Sequence, residues 1–199
     1  MSEQPEKDFK FDKMASRYDE GFVGKASQRF YNLLVDEADF QPGAAVLDVG
    51  CGTGELLRRL SSRYGICGSG IDMEPNMVAV AAAKSPDMHF WVGSCDSIQA
   101  EDSSFDAIVC CMAYHHFGNK EGFAREAARV LPQGGTLVIA DPHFPLVVRS
   151  ALNRFFRLVR IVGAFCSPEE MASQFDRFGF ELTKSRTDGY AQLVVLRKR

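Results

Sequence analysis

Between Val46 and Glu55 the chain reads VLDVGCGTGE, the stretch whose residue types and spacing are best suited to holding a small ligand. An apolar run carrying Asp48 passes into three glycines at alternate positions, Gly50, Gly52 and Gly54, and Leu56, Leu57 and Leu60 follow at helical spacing. A strand, a glycine turn and a helix are expected, and the helix N-terminus would favour an anion or a polar tail. The glycines remove Cβ atoms where the backbone takes positive φ or a ligand comes close. A dinucleotide fingerprint would need a small residue at position 55, where Glu55 stands, and the third glycine comes one residue early at Gly54. Asp48 would repel a diphosphate and attract an ammonium or sulfonium group, so the expected ligand is cationic at that end.

Further along, three strand-like runs end in residues with chemical potential. Residues 66 to 72 end in Asp72, where doubly wound nucleotide-binding folds place a carboxylate on ribose hydroxyls. Asp72 or Glu74 can alternatively cap the helix that Pro75-Asn76 opens. Met88 to Val92 precedes Ser94, Cys95, Asp96 and Ser97, in which Asp96 could equally serve an Asx turn. Phe105 to Cys111 is apolar enough for a central parallel strand, and its tip, Met112 to Phe117, carries His115 and His116. A neutral imidazole there could act as a general base, with structural hydrogen bonding as the alternative. Adjacent residues of an extended chain point oppositely, so at most one histidine would face a pocket. His143 and Asp141 could lie nearby, but no spacing suits a metal, and none is expected.

The glycine stretch, together with FDKMASRYD before it and REAARVLPQGGTLVIADP after it, resembles the class I S-adenosylmethionine-dependent methyltransferases. The similarity is to the small-molecule branch that includes the ubiquinone and menaquinone methyltransferases, and it covers most of the chain. The resemblance implies a doubly wound, Rossmann-like α/β sheet of seven strands, mostly parallel with the last antiparallel, behind an N-terminal helical lid. It implies S-adenosyl-L-methionine as cofactor, S-adenosyl-L-homocysteine as product, and direct in-line transfer to an oxygen, nitrogen, sulfur or carbon of a small molecule. It also implies site residues: Tyr18 covering the cofactor, Asp48, Gly50, Cys51, Gly52 and Gly54 in the turn, and Asp72 on the ribose. Met73 would pack on adenine beside Met77, Asp96 would accept from the adenine amino group with Ser97 adding a backbone N–H, and Met112 would lie at the tip facing the methyl group. The histidine pair is common in the family, in many members without an established proton-transfer role. The tip lacks the Asn-Pro-Pro-Tyr, Asp-Pro-Pro-Tyr and Pro-Cys sequences of many nucleic-acid methyltransferases. Two rival readings are a non-catalytic protein that binds the cofactor or its product, and an NAD-dependent oxidoreductase.

The 199 residues, 46% hydrophobic and 25% charged with net charge -3, suit one globular domain without a global basic footprint for nucleic acid. N-terminal lid helices are expected over 1–40, a cofactor-binding core over 42–141, a helical substrate-lid insertion over 142–166, and a final helix with an antiparallel strand pair over 167–199. The opening MSEQPEKDFK has no apolar signal core, no run approaches a membrane span, and a cytoplasmic protein is expected. The six cysteines show no C-x-x-C pair and read as small core residues; only Cys166 suggests a mobile thiol that could accept a metalloid. Pro145 to Val162 reads as an amphipathic helix with Arg149, Asn153, Arg157 and Arg160 on a basic side and the apolar residues packed inward. Its basic side could be a solvated lid face, could recognise an anionic substrate through Arg149 and Arg157 with His143, or could touch a membrane surface.

Overall fold

The computed structural model describes residues 18–159 and 163–199, apart from the side chains of Phe22 and Val23. The lid expected from Phe9 lies outside the described residues up to position 17, as do Arg160 and Val162; Tyr18 and Asp19 stand in a turn.

From there α1 (Phe22–Glu37) leads to β1 (Ala45–Val49), α2 (Glu55–Tyr64), β2 (Cys67–Asp72), α3 (Pro75–Lys84) and β3 (His89–Val92). β4 (Ala107–Cys111), a 3-10 turn (Tyr114–His116), α4 (Lys120–Val130) and β5 (Thr136–Pro142) follow. The chain continues through α5 (Leu146–Leu158), α6 (Pro168–Asp176), β6 (Phe180–Asp188) and β7 (Ala191–Lys198). The strands form one sheet in the order β3-β2-β1-β4-β5-β7-β6, with β1 to β5 parallel and β7 antiparallel to both its neighbours. The sequence reversal falls between β1 and β4, where ligands of open α/β sheets bind beyond the carboxyl ends.

The strand pleat divides the core. Leu47, Ile108, Cys110 and Ile139 pack one face with Phe123 of α4 and Phe175 of α6, while Val46, Val109, Val138 and Ala140 pack the other with Leu34 of α1 and Leu57 of α2. Truncating a side chain as buried as Phe123 would cost about 3–5 kcal/mol. Local signals position the ends: Asn119 caps α4 by accepting from the Gly122 N–H, and Ser167 and Glu170 form a reciprocal capping box on α6.

Four expectations need correction. The tip after β4 is a 3-10 turn rather than extended chain, which puts the His115 and His116 rings on neighbouring positions 4.0 Å apart instead of on opposite sides. The alternating residues of 180–187 and 190–197 predict two half-buried strands, but β7 is buried on both faces because it is an interior strand, and β6 is exposed along the edge. Cys166 is buried and Cys67 is the exposed thiol. α5 is turned around relative to the expected amphipathicity. Arg149 is buried on Glu170 at 2.8 Å, and Asn153 holds both the N–H and the C=O of Phe165 at 2.9 Å, while Leu146, Val147, Phe155 and Leu158 are exposed. Specific polar partners outweigh generic apolar burial on this helix.

Candidate active site

The glycine turn wraps over the end of β2. The Gly50 and Cys51 N–H groups both donate to the Ile71 carbonyl, at 2.8 and 3.1 Å, and Gly52 N–H donates to Asp72 Oδ2 at 2.8 Å. Gly54 N–H donates back to the Cys51 carbonyl at 2.9 Å. Four donors that could have cradled a phosphate are therefore spent inside the fold, which removes the anion-binding character expected of the turn itself. Gly50 has φ +79°, and a Cβ there would stand 2.4 Å from the Ala113 Cβ, so the turn lies directly on the chain leaving β4. A Cβ on Gly52 would meet nothing within 4 Å among the described residues, so they leave that side of the turn open.

Asp48 sits at the carboxyl end of β1 with one side-chain oxygen, Oδ1, buried and without a partner. Burial, with the Asp72 charge adding to it, pushes its carboxyl well above the usual carboxylate range. A cation is what this carboxylate lacks. Asp72 is better supported, since its second oxygen accepts from the Glu74 N–H at 2.9 Å, yet burial still raises it. Asp72 thus buttresses the turn and steadies the start of α3 from the carboxyl end of β2.

The surrounding residues divide by where they point. Tyr18 is half-buried against Ser27, with its phenol pKa raised first by burial and also by nearby Asp72. Cys51 turns its side chain inward against Gly70 of β2, so it contributes backbone rather than thiol. Met73 is largely exposed beyond β2, whereas Met77 is buried under α3 and belongs to the interior. Asp96 accepts from Ser94 and from Asn119 Nδ2, which hold its carboxyl below its ordinary pKa, but the Ser97 N–H is committed to the Ser94 carbonyl at 3.2 Å. Met112 adopts φ +56°, an uncommon conformation for a side chain of its size, at the tip of β4 opposite the turn.

Beyond that tip a second group assembles. His115 Nδ1 lies 2.8 Å from Asp141 Oδ1; both side chains are buried, and Asp141 Oδ2 has no partner. Phe165 stacks on the His115 ring at 5.1 Å, and Phe144 and Phe156 pack on Phe165 at 5.0 and 5.5 Å. His116 is exposed by area, but the protein around its ring desolvates it and, with His115 alongside, lowers its pKa, so the ring is neutral. His143 contacts Gln192 Oε1 at 3.2 Å, next in line after Asp141 and Pro142. Of the expected substrate residues, Arg149 is consumed by Glu170 and Arg157 is on the exposed side of α5; only His143 remains beside this group. Among the described residues no group of three or more His, Cys, Asp or Glu could hold a metal ion. The thiols are poor nucleophiles here, since burial pushes Cys51, Cys110 and Cys111 well up and Cys95 up to about 11.

Several contributors carried no recognisable sequence signal. Tyr31 of α1 is buried close to Asp48 under the Arg59 guanidinium. Thr53, the residue between two glycines, donates to Asp19 at 2.8 Å, and Asp19 also pairs with Lys84, clamping the entry to α1 across the turn. Asp141, expected near the histidine pair, does reach His115, while Gln192 reads as an ordinary strand residue until the sheet brings it to His143.

Comparison with known proteins agrees with this geometry. Residues 46–135 match a family model described as a methyltransferase domain. A demethylmenaquinone methyltransferase of Tropheryma whipplei is 34% identical over 177 residues, covering 78% of this chain and 74% of that enzyme. The 2-methyl-6-phytyl-1,4-hydroquinone methyltransferase of Synechocystis is 39% identical over 103 residues, which make up 50% of this chain but span only 32% of that protein's length. The fold matches, with TM-score 0.82 and 22% identity over 98% of this chain and 99% of the other, a chain from the complex between the Haloferax volcanii Trm112 methyltransferase activator and a methyltransferase. An unpartnered carboxylate oxygen at the head of a turn whose N–H groups are already spent suits the cationic end of S-adenosylmethionine, the cofactor of this family, and does not suit a dinucleotide. The chain belongs to the family of class I S-adenosylmethionine-dependent methyltransferases.

Proposed function

We propose that this enzyme methylates a hydroxyl or an acidic carbon on an apolar, ring-containing small molecule, with His115 as general base and Asp141 as the residue that positions it. The His115–Asp141 contact carries the reading. Asp141 accepts at Nδ1, so the tautomer with its proton on that nitrogen is favoured and Nε2 is left as the basic atom. Burial of the pair excludes competing water, and the imidazolium formed on accepting a proton is stabilised by the carboxylate behind it. Phe144, Phe156 and Phe165 supply an apolar wall beside the base, which favours a flat acceptor over a charged one. Two relatives carry names that denote a hydroquinone and a menaquinone precursor as substrates, compounds of this shape.

For the cofactor, Asp48 would take the ammonium end, the open side of Gly52 would admit the chain, Asp72 would hold the ribose hydroxyls, and Asp96 would receive the adenine amino group. Tyr18, from the turn before α1, and Tyr31 of α1 would close the site. Bound S-adenosylmethionine supplies an activated methyl group on a sulfonium whose departure as a neutral thioether needs no acid. What the protein must add is alignment, exclusion of water and removal of the acceptor's proton, and His115 performs the last as the acceptor oxygen or carbon forms its new bond.

The test is transfer of labelled methyl from S-adenosylmethionine to a panel of quinols, phenols, enols and primary amines. Turnover confined to acidic ring hydroxyls or carbons supports the reading. Turnover of amines alone would overturn the base assignment, and cofactor binding without any turnover would favour the non-catalytic rival.

A further inference from the structure

α5 holds Arg149 and Asn153 toward the protein while several large apolar side chains face solvent, and the pattern along its outer surface is specific. Val147 and Leu158 are each 80% exposed, lie eleven residues apart and therefore fall on one line along the helix, about 16 Å long. Leu146 and Phe155 flank that line, 67% and 54% exposed. Arg154 and Arg157 are exposed on the same outer surface, and the helix contains no acidic residue. The opposite side is fixed by the Arg149–Glu170 ion pair and by the Asn153 amide on the Phe165 backbone, so this orientation is locked rather than incidental. A row of large apolar side chains held outward is not the resting face of a solvated helix.

We infer that α5 is a membrane-surface anchor whose outer face lies in the interfacial region of an anionic lipid bilayer. The charges select this occupant over a second copy of the chain. A symmetric pairing of two α5 helices would bring Arg154 and Arg157 toward their own images with no carboxylate on either helix to neutralise them. An anionic lipid surface accepts the apolar row among its acyl chains and the guanidinium groups among its head groups. The inner side of the same helix touches Phe165, which stacks on His115, so a bound α5 would set the acceptor pocket close to the bilayer. The inference rests on α5 alone and stands or falls separately from the proposed reaction.

The experiment is co-sedimentation of the full chain with vesicles of phosphatidylcholine, and with vesicles of phosphatidylcholine and phosphatidylglycerol in equal parts. Two interfacial arginines, each contributing about a factor of five, predict roughly twenty-five-fold tighter partition to the anionic vesicles, declining with added salt. Val147→Glu with Leu158→Glu should reduce that partition at least about tenfold. These side chains stand mostly in solvent, so the thermal midpoint and S-adenosylmethionine affinity of the double variant should match the parent. Arg154→Gln with Arg157→Gln should abolish the preference between vesicle types. Failure to sediment with either vesicle, or binding indifferent to the glutamate pair, would overturn the inference. So would a dimer in sedimentation velocity that the glutamate pair dissolves, since the outer face would then be taken by a second copy.

Discussion

The two halves of the active site are built by opposite means. On the cofactor side, the ends of β1 and β2 meet through backbone hydrogen bonds spanning about twenty residues, and almost every polar group of the turn is paired within it. On the acceptor side, the base is 26 residues from the carboxylate that orients it, His143 is 49 residues from Gln192, and the aromatic wall comes from the segments around α5. The first half is a local device that any chain with this spacing must form. The second depends on the whole sheet being assembled, which is where members of one fold acquire different substrates.

That contrast predicts separable failures. His115→Asn should lower turnover about 10²–10⁴-fold while leaving S-adenosylmethionine affinity within about twofold, because it touches only the acceptor side. Asp141→Asn should lose much of the same turnover with little change in KM, read in steady-state kinetics. Equal losses of cofactor affinity in both variants would mean that the two halves are not separable. Gly50→Ala attacks the seam between them: its Cβ meets Ala113 in a left-handed backbone, and a cost of about 3 kcal/mol should be read in denaturant unfolding.

Asp48→Asn should weaken the cofactor about a hundredfold by calorimetry, and simultaneously stabilise the unliganded protein. The sign follows from the direction of the shift. Burial raises the folded pKa of Asp48 above its unfolded value, so its contribution is fully present below the unfolded carboxylate range and is lost as pH rises through the folded pKa. At neutral pH an amide relieves that penalty, and the unliganded thermal midpoint should rise by on the order of 3 °C. For the parent, cofactor affinity should fall, with proton release on binding, as pH drops through the same raised pKa. An unchanged affinity in Asp48→Asn would remove Asp48 from the cofactor site. The smallest effect on the fold belongs to Gly52→Ala, about 1 kcal/mol for its φ of +51° alone, with cofactor affinity as the sensitive readout.

The cofactor half was legible in the sequence because spacing there is structure. Asp48, the three glycines and Asp72 are placed by a strand, a turn and a strand with little else to decide. Alternating helical and strand-like runs indicated a doubly wound sheet, while the count of seven strands with the last antiparallel came from the family resemblance. Hidden from periodicity was everything set by a distant partner. The histidine pair was visible, but extended-chain reasoning failed where a 3-10 turn closes. For α5, a helical wheel grouped Arg149, Asn153 and Arg157 on one basic side, whereas Arg149 and Asn153 turn inward and Arg157 outward, because Glu170 and the Phe165 backbone lie outside any window drawn around the helix. Tyr31 and Thr53 likewise acquire meaning only when α1 crosses the turn.

Gln192 has a consequence for the order in which a working molecule comes into being. Its buried amide donates to the Pro142 and Cys166 carbonyls, at 3.1 and 2.7 Å, and its oxygen receives His143, so two segments around the acceptor pocket are tied by one residue of β7. β6 pairs only with β7, and β7 must insert beside β5 before either is in place. During synthesis, residues 45 to 142 can already bring the β1–β5 sheet together while the ribosome still holds the segment that shapes the acceptor mouth. The part of the sheet that carries the glycine turn is thus complete in chain order before the hairpin that Gln192 belongs to.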